Sequence, residues 1–256
     1  MLILLSPAKS LDFETPALVK ATSEPIFVEE TAYLSQLAAD LSLLDLQNLM
    51  DISPNLAQLN VDRFACMRDS KDTMPSRQAV FLFDGDVYDG LQARQLPKKE
   101  IDYLQSHLRI LSGLYGILRP LDKINAYRLE MGAKLKNGAG NNLYAYWREK
   151  LSAHLKQELL LTKSKFVVNL ASDEYAKAIM LKDLGLPVIQ PIFQDYSAGK
   201  FKVISFFAKR ARGSMVRYCA VNRVRHPEKL KDFDWDGYQF IEEESNSSNW
   251  VYRRKQ

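Results

Sequence analysis

Two stretches of this 256-residue chain concentrate side chains that could do chemistry. The first is Ser112-Gly-Leu-Tyr-Gly-Ile-Leu-Arg-Pro-Leu-Asp, followed by the adjacent Tyr127 and Arg128 and closed by Gly132. Gly113 and Gly116 can take φ > 0 or admit a ligand or a second backbone at close range. Pro120 pushes Arg119 out of the α region, and Tyr127 and Arg128 put a ring beside a guanidinium, a pair suited to a flat, anionic or nucleobase-bearing ligand. Each residue alone has a plainer use, as turn glycine, core ring or surface arginine; the clustering is what marks a site. The second stretch lies between Asp195 and Glu228, where no acidic residue occurs while Lys200, Lys202, Lys209, Arg210, Arg212, Arg217, Arg223 and Arg225 all do. Charge of one sign repels itself, and a polyanion is the partner that relieves it. At roughly 100° per residue, Arg210 and Arg217 share with Gly213 the helix face opposite Ala211 and Met215, a basic face with a gap suited to a phosphate.

Other chemistries find less support. Asp84, Asp86 and Asp89 follow the apolar run 79–83 at two Asp-Gly dipeptides. An EF-hand would need further oxygen ligands and a closing glutamate, so Asp-Gly turn chemistry is the expected explanation and no metal is expected. Cys66 and Cys219 stand far apart with no CxxC or HxxxH nearby, which argues against a disulfide framework or structural zinc. There is no GxGxxG, P-loop or G-x-S-x-G, and no histidine stands where a Ser/His/Asp triad would need its base. No cofactor is expected.

The elements that position these residues are legible as apolar runs. Residues 2–5, 108–111 and 166–170 fit strands buried on both faces. Each leads into a serine (Ser6, Ser112, Ser172) and then polar residues: Lys9 after the first, Tyr115 and Arg119 after the second, Glu174 and Tyr175 after the third. As parallel neighbours, these strands would gather their loops into one cleft at their carboxyl ends. Residues 13–28 fit an extended surface crossing, and two or three short amphipathic helices fill 31–64, parted at Ser53-Pro54 with Ser53 as N-cap. A helix over 97–106 leads into the glycine-rich stretch. Trp147, Leu151, Leu155 and Leu159 stripe a helix over 143–161, with His154 at its boundary. Residues 188–196 and 200–207 form a hairpin in which Pro191 marks an edge strand, and a helix follows. Two short strands, the second over 250–253, enclose the acidic loop 242–249.

At 46% hydrophobic, the chain can bury one sizeable core, so residues 1–256 are expected to form a single α/β domain. Its central mixed sheet would be flanked by helices, an α+β arrangement being the variant, with a basic cleft at the carboxyl edge of the strands. The net charge of +4 is too small to indicate a polyanionic partner by itself. No basic segment precedes the first apolar run, which is too short for a signal peptide or a membrane span; a cytoplasmic protein without membrane contact is expected.

Six blocks then carry a family resemblance. Leu-Ser-Pro-Ala-Lys-Ser-Leu-Asp at 5–12, Gly85-Asp-Val-Tyr-Asp-Gly-Leu, Leu111-Ser-Gly-Leu-Tyr-Gly-Ile-Leu-Arg-Pro-Leu-Asp, Tyr127-Arg-Leu-Glu-Met-Gly, Asn169-Leu-Ala-Ser-Asp-Glu-Tyr and the basic block 199–213 resemble signature blocks of the YaaA family over nearly the whole chain. The resemblance implies a cytosolic bacterial protein linked to peroxide stress and to limiting free intracellular iron, with DNA binding through a basic cleft and a helix-hairpin-helix-like element. The usual turn of that element is Gly-apolar-Gly, whereas Gly113 and Gly116 enclose two residues; 101–128 is therefore open between such a motif and a strand with a loop.

Two functions follow from the residues. In one, duplex DNA binds with little sequence preference to Lys9, Arg119, Arg128, Lys200, Lys202, Lys209, Arg210, Arg212 and Arg217, and Tyr115 or Tyr127 stacks on an exposed or flipped base. In the other, an enzyme acts on a nucleobase-like or nucleotide-like small molecule in the three-loop cleft, with Lys9 and Arg128 as electrostatic groups and Glu174 or Asp173 as acid/base. Convergence of Lys9, Ser112, Arg128, Ser172 and Glu174 on one pocket would favour chemistry.

Overall fold

A computed structural model describes residues 1–17, 19–20, 22–69 and 74–255. The three apolar runs are strands of one eight-stranded sheet and lie side by side in it. Leu2–Leu5 is the middle one, parallel to Leu108–Ser112 on one side and to Val167–Leu170 on the other. Every residue of the three is buried, as continuous apolar runs covered on both faces require. Val188–Ser197 and Asn249–Arg254 extend the parallel set. Short antiparallel strands finish it: Gly116–Leu118 and Gln239–Phe240 at the two edges, and Lys200–Lys202 on Val188–Ser197.

Arg109, the one charge inside these runs, is enclosed with them. Its guanidinium binds the Glu158 carboxylate and donates to the carbonyls of Gln105 and Leu108. A buried charge is tolerated only when paired and hydrogen-bonded in this way. Glu158 comes from the helix Leu143–Leu161, whose Trp147, Leu151, Leu155 and Leu159 stripe is buried as its spacing predicts. Trp147 Nε1 donates to the Gly113 carbonyl at 2.9 Å. Its ring fills the space beside Gly116 (φ +70°), where a Cβ would come within 2.7 Å of it. Gly116 thus supplies both the left-handed turn and the room for the indole. The turn between the two glycines joins the strands Leu108–Ser112 and Gly116–Leu118, and a helix, Lys98–His107, lies only before it. Residues 101–128 are the strand and loop rather than two helices across a hairpin.

Three local expectations change in the structure. Pro191 does not lie on an edge strand: Val188–Ser197 pairs along Asn249–Arg254 on one side and with Val167–Leu170 on the other. Gln190 N donates to Ser248, so the missing N–H of residue 191 faces the opposite side, where pairing ends at Ile189. The second hairpin strand is also short, because the helix already begins at Ser205. Finally, Asp89-Gly90 is not a turn but lies inside the helix Asp86–Leu91.

That helix explains Gly90 and Gly213 together. It crosses the helix Ser205–Val221 so closely that a Cβ on Gly90 would stand 2.0 Å from the Arg210 carbonyl oxygen, and one on Gly213 1.7 Å from that of Val87. The gap expected to receive a phosphate is filled by this neighbouring helix. Buried side chains drawn from Leu2 through Tyr252 pack into one contiguous core around the sheet.

Gly213→Ala should force the two helices apart and lower stability by about 3 kcal/mol or more, since the obstacle is backbone and cannot swing away; a urea midpoint equal to that of the parent would contradict the contact. A pH effect is also expected. Burial holds His107 and His154 below the ordinary imidazole value. The unfolded chain therefore takes up protons at higher pH than the folded one, and stability falls as pH drops through about 6.5. Thermal melts at pH 7.5 and 5.5 should show the drop, and replacing both histidines with glutamine should flatten it.

Candidate functional site

The register of the central strands sets the site. Leu5 stands opposite Leu170 and Ile110, so the chain leaves adjacent strands at Ser6 and Ala171 and the two exits run together. Ser172 N donates to Ser6 Oγ at 2.9 Å, and the two hydroxyls lie 3.3 Å apart. Tyr88 reaches over from Asp86–Leu91 and donates its hydroxyl to the Ser6 carbonyl at 3.1 Å. Burial, with the Tyr127 and Tyr175 phenols next, pushes the Tyr88 pKa well up, so it remains a donor.

A cleft of about 690 Å³ opens over these exits, at the carboxyl edge where open α/β sheets place ligands. Lys9, Glu130, Ser172, Glu174, Lys209 and Arg212 all line it. Lys9 Nζ lies 2.9 Å from Glu130 Oε2, and Arg128 Nη2 lies 3.4 Å from the other oxygen of that carboxylate. Glu174 Oε1 accepts from Gly132 N at 2.9 Å; a Cβ on Gly132 would come within 3.2 Å of that oxygen. Lys209 pairs with Asp86 at 3.5 Å. Four of the five residues expected to converge are therefore gathered, Lys9, Ser172 and Glu174 on the wall and Arg128 through Glu130.

Ser112 is the exception. Fully buried, its Oγ lies 2.7 Å from the Tyr127 hydroxyl and accepts the amides of Leu114 and Tyr115. Tyr127 and Tyr115 are 5% and 6% exposed and meet edge to face at 5.2 Å. The Tyr115 oxygen accepts from Asn125 N at 3.1 Å, and burial pushes its pKa up to about 12. Rings enclosed in this way offer no face to a base. Arg119 is likewise turned inward: its Nε donates to the buried Asp122 at 3.0 Å, and Nη2 to the Glu24 carbonyl at 2.6 Å.

The acid-free stretch divides. Lys200, Lys202, Lys209, Arg210, Arg223 and Arg225 are exposed, but the middle of the helix is covered by Asp86–Leu91. Arg217 donates to the carbonyls of Leu91 and Gln92, capping that helix rather than facing solvent. The continuous basic face expected through Arg210, Gly213 and Arg217 is thus two basic ends with a buried centre. Only Lys209 and Arg212 reach the cleft from this stretch, and with Lys9 they face five carboxylates: Asp84, Asp86, Glu130, Asp173 and Glu174. The cleft is mixed in charge rather than basic. Glu130, absent from the expected site, was visible in principle: two residues from Arg128 in an extended segment, it shares that side of the chain.

A family model described as "Peroxide stress protein YaaA" matches residues 1–244. A UPF0246 protein of Polynucleobacter asymbioticus is 50% identical over 254 residues, covering 99% of this chain and 98% of that protein. Similar UPF0246 proteins of Janthinobacterium sp. (strain Marseille) and Dechloromonas aromatica are each 48% identical over 255 and 256 residues, covering all of this chain and 99% and 100% of theirs.

Ser6→Ala should unlace the two strand exits by stranding the Ser172 amide, a loss of about 1–3 kcal/mol. Hydrogen exchange at Ser172 should accelerate while amides of the strand Leu2–Leu5 stay protected; unchanged exchange there would show that the serine pair holds nothing.

Proposed function

The chain belongs to the peroxide stress protein YaaA family, and we propose that within the peroxide stress response it acts as a duplex-DNA-binding protein with little sequence preference. The observation that carries this reading is the exposure of six cations in a stretch of 32 residues, 196–227, with no acid among them. Of the six, Lys209 has an ion-pair partner, Asp86. Exposed cations with so few internal partners are suited to phosphates, and contacts of this kind position a protein on DNA without reading bases. The helix between the two basic ends has 17 residues, about 25 Å, so the ends would meet phosphates some distance apart. In this reading the enclosed Tyr115 and Tyr127 and the internally paired Arg119 hold the fold, and Lys200, Lys202, Arg210, Arg223 and Arg225 make the contacts. Limitation of free iron, which the family resemblance implies, we assign to an effect other than sequestering the metal. Among the described residues no group of three or more His, Cys, Asp or Glu side chains is arranged to hold an ion. No helix among them is long and apolar enough to cross a membrane.

Salt-dependent gel shifts on several unrelated duplexes test the proposal. Affinity should fall with a log-log slope of about −0.9 per phosphate neutralised, and replacing Lys200, Lys202 and Arg210 together by alanine should flatten it by roughly two to three on every sequence. Arg217→Ala should lower the unfolding midpoint yet leave the slope alone. A triple variant binding as tightly as the parent would reduce the basic ends to solvated surface.

A further inference from the structure

The cleft contains a charge that the protein does not neutralise. Lys9 pairs with Glu130 and Lys209 with Asp86. Arg212 projects into the same cleft from the middle of Ser205–Val221, half-buried, and makes no hydrogen bond or ion pair among the described residues. Burial lowers its pKa, and Asp173 only partly opposes this without coming within ion-pairing distance. A half-buried guanidinium without a protein partner keeps its donors free toward the cleft, and their fork matches phosphate or carboxylate oxygens.

The rest of the wall restricts what that anion can carry. The lining also includes Val87, Leu170 and Tyr175, apolar surface for a flat body. Asp84, Asp173 and Glu174 also line the cleft and form no ion pair among the described residues. One Glu174 oxygen is held by Gly132 N, leaving the other for a ligand. As carboxylates these groups accept hydrogen bonds and repel acceptors. The volume of about 690 Å³ greatly exceeds the needs of a bare phosphate and lies in the range of small-molecule sites.

We propose that this cleft binds a nucleotide, its phosphate on Arg212 and the exocyclic amino group of its base on the unpaired carboxylates. The proposal goes beyond the duplex-binding reading and does not depend on it, since of the six exposed cations only Lys209 lines the cleft. Bases that present an amino group there, adenine, guanine and cytosine, bind in preference to thymine. The ligand is either a free nucleotide or one extruded from bound DNA; phosphate and base are common to both.

Calorimetric titration of the full chain with dAMP, dGMP, dCMP, dTMP and inorganic phosphate tests the assignment. The three amino-bearing nucleotides should bind roughly tenfold tighter than dTMP, and inorganic phosphate more weakly than any of them. Arg212→Gln should weaken every nucleotide by about tenfold or more; if that variant fails to fold, Arg212→Lys, which keeps the charge and loses the fork, should show a smaller loss in the same direction. Glu174→Gln together with Asp173→Asn should narrow the gap to dTMP. Heat from none of the nucleotides, inorganic phosphate binding as tightly as they do, or an arginine variant equal to the parent would each overturn the proposal. A duplex carrying 2-aminopurine at a mismatch separates the sources. Fluorescence that rises with the parent and not with Arg212→Gln identifies a nucleotide extruded from DNA, and free-nucleotide binding without that rise identifies the free pool. Duplex gel shifts that survive while the titrations stay silent would overturn this inference alone.

Discussion

Everything around the cleft depends on the backbone contact between Asp86–Leu91 and Ser205–Val221. No side chain larger than hydrogen fits at Gly90 or Gly213, so the two helices touch main chain to main chain. That approach brings Tyr88 within reach of the Ser6 carbonyl and Asp86 within reach of Lys209. It also aims Arg212 at the strand exits. Were the helices a methyl group further apart, the cleft would lose one wall and, with it, two of its three cations, Lys209 and Arg212. The cost falls on the helices, since glycine is a poor helix former, and the burial around the crossing offsets it.

A second layer of organisation is electrostatic. Around the cleft several charges stand in pairs that cancel locally, Lys9 and Arg128 with Glu130 and Lys209 with Asp86. Glu130 is central because its two oxygens hold Lys9 and Arg128, residues 119 positions apart that would otherwise repel each other. Deep in the sheet, Arg109 and Glu158 follow the same rule. Against that background Arg212 stands out as a half-buried cation in the cleft with no ion-pair partner among the described residues.

The sequence announced those features whose causes are local. Apolar runs of four or five residues placed the three central strands, the 3.6-residue stripe placed Leu143–Leu161, and Ser53 caps its helix by accepting from Leu56 N. What it concealed had causes elsewhere in the chain. Gly90 resembled a turn glycine because the carbonyl that demands it belongs to residue 210, and Gly213 resembled an opening because residue 87 fills it. Tyr115 and Tyr127 looked available for stacking until their hydroxyls found Asn125 and Ser112. Pro191 suggested an edge because a strand with one paired and one unpaired flank at a single residue has no local signature. The site was half legible for the same reason: strand-end loops follow from topology, whereas the partner of each charge does not.

The division of the basic stretch has a mechanical consequence. A 17-residue helix is packed along its centre against a neighbouring helix and the sheet, and exposed cations stand toward either end of it. In the proposed DNA-binding reading such an object would be bivalent toward the polyanion, and once one end is engaged the other would experience a high effective concentration of charge. The gain survives only if the polyanion presents phosphates at the helix's own span. In that reading a fixed spacing would make a pair of weak, nonspecific contacts into a ruler, one that measures the shape of what it touches rather than its sequence.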